Sequence, residues 1–146
     1  MKRRDVIGAA VGLASVAWMR SAAANADELA AAIKRFADGA PVIEGRVEFE
    51  IAPLVENGNT VPVTVRVQSA MSESDHVKAI AIFNESNPQR DVANFFLGPR
   101  AGRATVSTRI RLATSQRLVA VAKMSDGSCW SHSVDVLVTL AACVES

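Results

Sequence analysis

The sequence predicts an all-β domain, an immunoglobulin-like antiparallel β-sandwich with a short N-terminal helix. Three observations predict it: apolar residues recur at a period of two along several short runs, turn signals separate the runs, and no helical pattern intervenes between them. A length of 146 residues and a hydrophobic share of 49% suit one domain with a real core.

The helix comes first. In "DELAAAIKRFADGAP", from Asp27, Leu29, Ile33 and Phe36 recur at spacings of four and three on one face. Asp27 and Glu28 suit the first turn, Lys34 and Arg35 the last, and Gly39 with Pro41 stops it. Its apolar stripe reads as a packing face.

Beyond Pro41 the period changes to two. "RVEFEIA" places Val47, Phe49 and Ile51 on one face, and "TVPVTVRVQS" does the same with Val61, Val63, Val65 and Val67. "ATVSTRIRL" follows with Val106, Thr108, Ile110 and Leu112, and "SVDVLVTL" with Val134, Val136, Val138 and Leu140. "VKAIAIFNE" and "RLVAVAKM" are apolar on both faces, as expected of central strands or of strands that a partner covers, and "VANFFLG" is a weaker run. Turns fall at "ENGN", "NESNPQ", "GPRAG" and "SDGS", the last a tight hairpin signal. About seven strands result, with no repeat and no second domain.

Residues 1–26 predict a secretory signal: a basic start, an apolar middle, and the A-x-A site Ala24-Asn25-Ala26. Arg3 and Arg4 stand directly before the apolar run, which fits twin-arginine export to the periplasm; an ordinary secretory signal is the alternative. The run from Val6 to Met19, broken by Gly8, Gly12 and Ser15, falls short of the roughly 20 apolar residues of a membrane span. The mature domain is then 27–146. The leader takes Lys2, Arg3, Arg4 and Arg20 from the 16 basic residues and Asp5 from the 15 acidic ones, which leaves a net charge of about −2. That balance gives no reason to expect nucleic acid or an anionic membrane as a partner.

Cys129 and Cys143 are the chain's two cysteines. An even pair in an oxidising compartment suggests a disulfide, but most of the intervening "WSHSVDVLVTLAA" is one strand, and about ten residues at ~3.3 Å each separate its ends by about 30 Å. A disulfide needs Cα atoms within about 7 Å. The two are expected at opposite ends of one strand: Cys129 beside the "SDGS" turn as a small apolar residue, Cys143 on the tail as a presented thiol or an intermolecular cysteine.

No catalytic residue and no metal site is predicted. His76 and His132 lack metal-ligand spacing, and "GPRAG" precedes a strand and not a helix. No cofactor is expected.

The stretches "VENGNTVPVTVRVQS", "STRIRLA" and "VAVAKMSDGS", with the cysteine near the carboxyl end, resemble the Y subunits of the bacterial Sox sulfur-oxidation system, over essentially the whole mature chain. The resemblance implies an immunoglobulin-like sandwich in a heterodimer with a SoxZ-like subunit. It implies that Cys143 is the covalent attachment site for thiosulfate-derived sulfur, that a haem-containing enzyme couples thiosulfate to it, and that other periplasmic Sox enzymes hydrolyse off sulfate or oxidise what remains. The protein is then a carrier and not an enzyme. The family's arm typically ends Gly-Gly-Cys-Gly-Gly, whereas this chain has "AACVES", a stiffer tail with Glu145 near the thiol. Two other readings stay open: a non-carrying scaffold subunit of the same fold, and a thiol or metal-handling protein pairing Cys143 with His132. The doubly apolar strands holding Ile80, Ile82, Val119 and Val121 are read as core or as a partner interface.

Overall fold

In the computed structural model, which describes residues 24–140, two sheets pack face to face and one helix lies on the outside of the larger. The helix, α1, covers 24–36 and ends at a left-handed turn. Gly39 N–H donates to the Lys34 carbonyl (3.1 Å) and Asp38 N–H to the Arg35 carbonyl (3.2 Å), the pair of bonds that closes a Schellman cap. Asp38 holds the left-handed position, with φ of 54°, and its carboxylate accepts from Lys123 Nζ at 2.8 Å.

Nine strands follow: β1 (Val42–Glu44), β2 (Val47–Glu50), β3 (Leu54–Val55), β4 (Val61–Val67), β5 (Val77–Asn84), β6 (Asp91–Phe96), β7 (Thr105–Ile110), β8 (Gln116–Met124) and β9 (Cys129–Val138). The smaller sheet runs β2-β4-β7 and is antiparallel throughout. The larger runs β1-β9-β8-β5-β6, with β3 also on β9. The predicted sandwich is therefore present, as are its helix and the seven runs expected to form strands. Two short strands were not foreseen, β1 and β3, which pair with β9 in parallel, Val42 opposite Cys129 and Leu54 opposite Leu137. Strands of three and two residues carry too few side chains to show a period.

Between them the chain leaves for the smaller sheet as β2. The crossover needs a sharp bend, which Gly45 (φ 132°) and Arg46 (φ 57°) provide. A Cβ at Gly45 would stand 3.6 Å from the Trp130 ring, and the Arg46 guanidinium lies 5.6 Å from that ring's centroid.

The two doubly apolar strands find partners within the chain. Ile80, Ile82, Leu118, Ala120 and Ala122 face the smaller sheet and its valines, in the main core with Phe49 and Leu112. Ala81, Phe83, Val119, Val121 and Cys129 face the other way, under Leu29, Ala32 and Ala37. The Phe36 and Phe83 rings meet edge to face, with centroids 5.8 Å apart. The partner-interface reading of Ile80, Ile82, Val119 and Val121 is thus overturned: α1 and the smaller sheet leave all four at 6% exposure or less. Each fully buried large side chain contributes about 1.5–3 kcal/mol relative to exposure, so a second layer on this sheet is a large term in stability.

Candidate functional site

The site is the place where β9 delivers the chain to residues 141–146. Cys143 itself lies outside the described residues, so what the structure supplies is the root of its tail. β9 keeps a strict alternation: Trp130, Val134, Val136 and Val138 pack towards the core, while Cys129, Ser131, Ser133, Asp135 and Leu137 take the outer face. Its antiparallel register with β8 runs from Lys123 opposite Cys129 to Gln116 opposite Val136, where β8 stops.

Past that point other groups take over. Val138 N–H donates to Ser115 Oγ at 2.8 Å, and that hydroxyl reaches the Val138 carbonyl at 3.4 Å. On the other side Thr139 N–H donates to the Val55 carbonyl (3.0 Å), and Thr139 Oγ1 lies 3.3 Å from the Glu56 carbonyl. Last, Gly58 N–H donates to the Leu140 carbonyl at 2.8 Å, while the Gly58 carbonyl accepts from Leu112 N–H at 2.8 Å. The Asn57 side chain braces the turn by accepting from Asn59 N–H at 3.0 Å. The segment 111–113 is held in turn by Asn87, whose amide donates to the Arg111 carbonyl (2.8 Å) and whose Oδ1 accepts from Ala113 N–H (3.0 Å).

Gly58 and Leu112 come from the "ENGN" and "STRIRLA" stretches. Read along the chain, these are a turn and a strand end. Folded, they converge on one spot and hold the backbone up to Leu140. Ser115, Thr139, Gly58 and Leu112 carry no signal of this role in the sequence, because each acts through backbone groups or a hydroxyl that only the tertiary arrangement brings together.

The other candidates are structural. Cys129 is fully buried at the start of β9 beneath α1. Burial pushes its thiol above the ordinary range, with Asp38 and Asp126 adding to the shift and Lys123 opposing it, so it stays protonated and inert at neutral pH. His132 faces inward and accepts from Phe49 N–H through Nδ1 at 2.9 Å, tying β9 to β2 just where β2 departs. His76 sits before β5, its Nδ1 3.0 Å from the Ser72 carbonyl. Among the described residues no group of three His, Cys, Asp or Glu side chains converges to hold a metal ion.

The distance between the cysteines follows from the strand. From Cys129 to Val138 is about 30 Å at ~3.3 Å per residue. Three residues beyond the anchored Leu140 reach at most about 11 Å. Cys129 thus lies at the opposite end of β9 from Leu140, the last described residue.

Comparison with known proteins agrees with this arrangement. The family model "Sulfur oxidation protein SoxY" matches residues 33–143, so the match runs through the tail root to Cys143. The structure of the sulfur carrier protein SoxY from Chlorobium limicola f thiosulfatophilum superposes with a TM-score of 0.67 at 30% identity, over 79% of this chain and 99% of that one. Superoxide reductase (neelaredoxin) from Ignicoccus hospitalis superposes with a TM-score of 0.57 at 16% identity, over 64% of this chain and 80% of that one. Superoxide reductase from Nanoarchaeum equitans does so at 0.55 and 12%, over 66% and 100%. Those two likenesses show the sandwich fold alone. No curated protein matches the sequence. The chain belongs to the SoxY family.

Proposed function

We propose that this protein is a periplasmic sulfur carrier that holds thiosulfate-derived intermediates covalently on Cys143. The observation that carries the reading is the tail root. The sandwich grips the chain at Leu140 through Gly58, and the family match continues to a cysteine three residues further on. A thiol on so short a tether is displayed without any loss of core packing, and tethering keeps a reactive sulfur species at the site where it is processed.

The chemistry asked of Cys143 is simple in balance. Its thiolate and thiosulfate join through a new S–S bond to give a cysteine S-thiosulfonate, and the two electrons released leave one at a time through the haem of the coupling enzyme to its electron acceptor. Hydrolysis of the terminal S–S bond by a second enzyme releases sulfate, with water supplying the oxygen, and leaves a persulfide on Cys143. The protein acts as the substrate of these enzymes and supplies no catalytic group. Residues 1–26 serve as the twin-arginine leader that brings it to the periplasm, and a SoxZ-like subunit is its constant partner.

The tail "AACVES" favours one second reading. Ala141, Ala142 and Val144 restrict the backbone around the sulfur, as expected of a relative that binds the same partners without carrying substrate.

Intact-protein mass spectrometry of the mature chain from cells grown with and without thiosulfate, before and after reductant, separates the two. A carrier shows reductant-labile sulfur or thiosulfonate adducts that vanish in Cys143→Ser. An unmodified thiol under both conditions supports the scaffold.

A further inference from the structure

The surface around the tail root has a character of its own. Leu54 and Leu137 are register partners on β3 and β9 and stand 55% and 64% exposed. Leu140, the residue gripped by Gly58, is 61% exposed. Exposed leucines scattered singly over a surface mean little, but these three lie within one strand register or three residues of a single backbone exit. On the same outer face of β9, Ser131, Ser133 and Asp135 precede Leu137, and Asp135 forms an ion pair with Arg117 at 3.1 Å.

The tether sets what can cover them. With the Leu140 carbonyl fixed, Cys143 reaches no further than about 11 Å from the exit. An active site that receives the sulfur must therefore place its mouth within that reach of Leu140, at the end of the sandwich that also carries Leu54 and Leu137.

We infer that these three leucines form an apolar collar on which the sulfur-processing enzymes dock, each presenting an apolar rim around a channel that admits the tail. The inference rests on the carrier reading and adds the surface that reading lacks. A collar of three side chains is small, as suits a carrier that must leave one enzyme for the next; short-lived encounters bury less than about 1,200 Å². A few central apolar contacts supply most of the affinity in such an interface.

The test varies the concentration of the mature carrier, with whatever partner subunit co-purifies, in a thiosulfate-dependent assay. The assay uses the host's thiosulfate-coupling haem enzyme and follows reduction of added ferricytochrome c. Leu54→Ser, Leu137→Ser and the double variant are compared with wild type and with Ile43→Ser. Ile43 is itself 49% exposed, but it lies opposite Trp130, about 23 Å along β9 from Leu137. The collar predicts a KM for carrier raised about fivefold in each single variant and more in the double, with kcat within twofold. Thermal stability and the rate at which a small maleimide labels Cys143 stay as in wild type. Ile43→Ser behaves as wild type. An unchanged KM in the double variant, or an equal rise in Ile43→Ser, overturns the inference while the carrier reading stands. Failure of wild type to be turned over, or turnover of Cys143→Ser, overturns the carrier reading and the collar with it.

Discussion

Gly58 donates its amide hydrogen to the Leu140 carbonyl at 2.8 Å, and through its own carbonyl it receives Leu112 N–H at the same distance. One small turn thus joins Leu140, the last described residue, to the end of the smaller sheet. The consequence is mechanical: β9 does not fray from Val136 onward, where its partner β8 has ended, but stays fixed for four more residues. The hold on Leu140 rests on this contact and not on the β-ladder with β8.

Ser115 is the support most easily removed. Ser115→Ala leaves Val138 N–H without its acceptor and is expected to cost about 1 kcal/mol of stability. Amide exchange at Val138 and Thr139 should quicken at least fivefold, while the core strands β5 and β8 keep their protection. Hydrogen-exchange mass spectrometry reads both regions in one experiment, and unchanged exchange at Val138 would show that the clamp does not depend on Ser115.

Cys129 should behave as the opposite of Cys143. Being sealed under α1 with a raised pKa, it should resist iodoacetamide at pH 8 until the protein unfolds. Cys129→Ser places a hydroxyl in the apolar layer and is expected to cost about 1–3 kcal/mol. The pH dependence has a definite sign. The folded thiol keeps its proton above the ordinary thiol value of about 8.5, where the unfolded chain has lost it, so the unfolded state binds fewer protons and stability falls as pH rises through that value. Urea titrations between pH 7.5 and 10 should show wild type losing stability relative to Cys129→Ala, and parallel curves would sink the assignment.

His132 should matter for folding and not for chemistry. Its Nδ1 is the acceptor for Phe49 N–H, so His132→Ala leaves a partly buried backbone donor unpaired at a cost of about 1–3 kcal/mol. Zinc added to wild type should leave its melting temperature unmoved. A zinc-dependent rise that His132→Ala abolishes would restore the metal-handling reading.

Much of the fold was legible along the chain because it rests on short-range patterns. The period of two in Val61–Val67 marked β4, the spacing of Leu29, Ile33 and Phe36 marked α1, and the two-faced apolar runs marked β5 and β8 as buried on both sides. The same patterns placed Cys129 at the head of β9. What the runs did not say is what covers them: that the layer over Phe83, Val119 and Val121 is the chain's own helix depends on how α1 folds back after its cap at Asp38 and Gly39. Nor did they show β1 and β3, whose five residues in all owe their strand form to the edge of β9 and not to any period of their own. The tail root lay furthest from view. Gly58, Leu112, Ser115 and Thr139 act there through backbone atoms or a single hydroxyl, groups that nearly every residue carries, so only their positions distinguish them. Sequence determined that a thiol stands near the carboxyl end of a sandwich domain; tertiary structure decided how the sandwich holds the chain as far as Leu140, because that hold is made of hydrogen bonds between segments far apart along the chain.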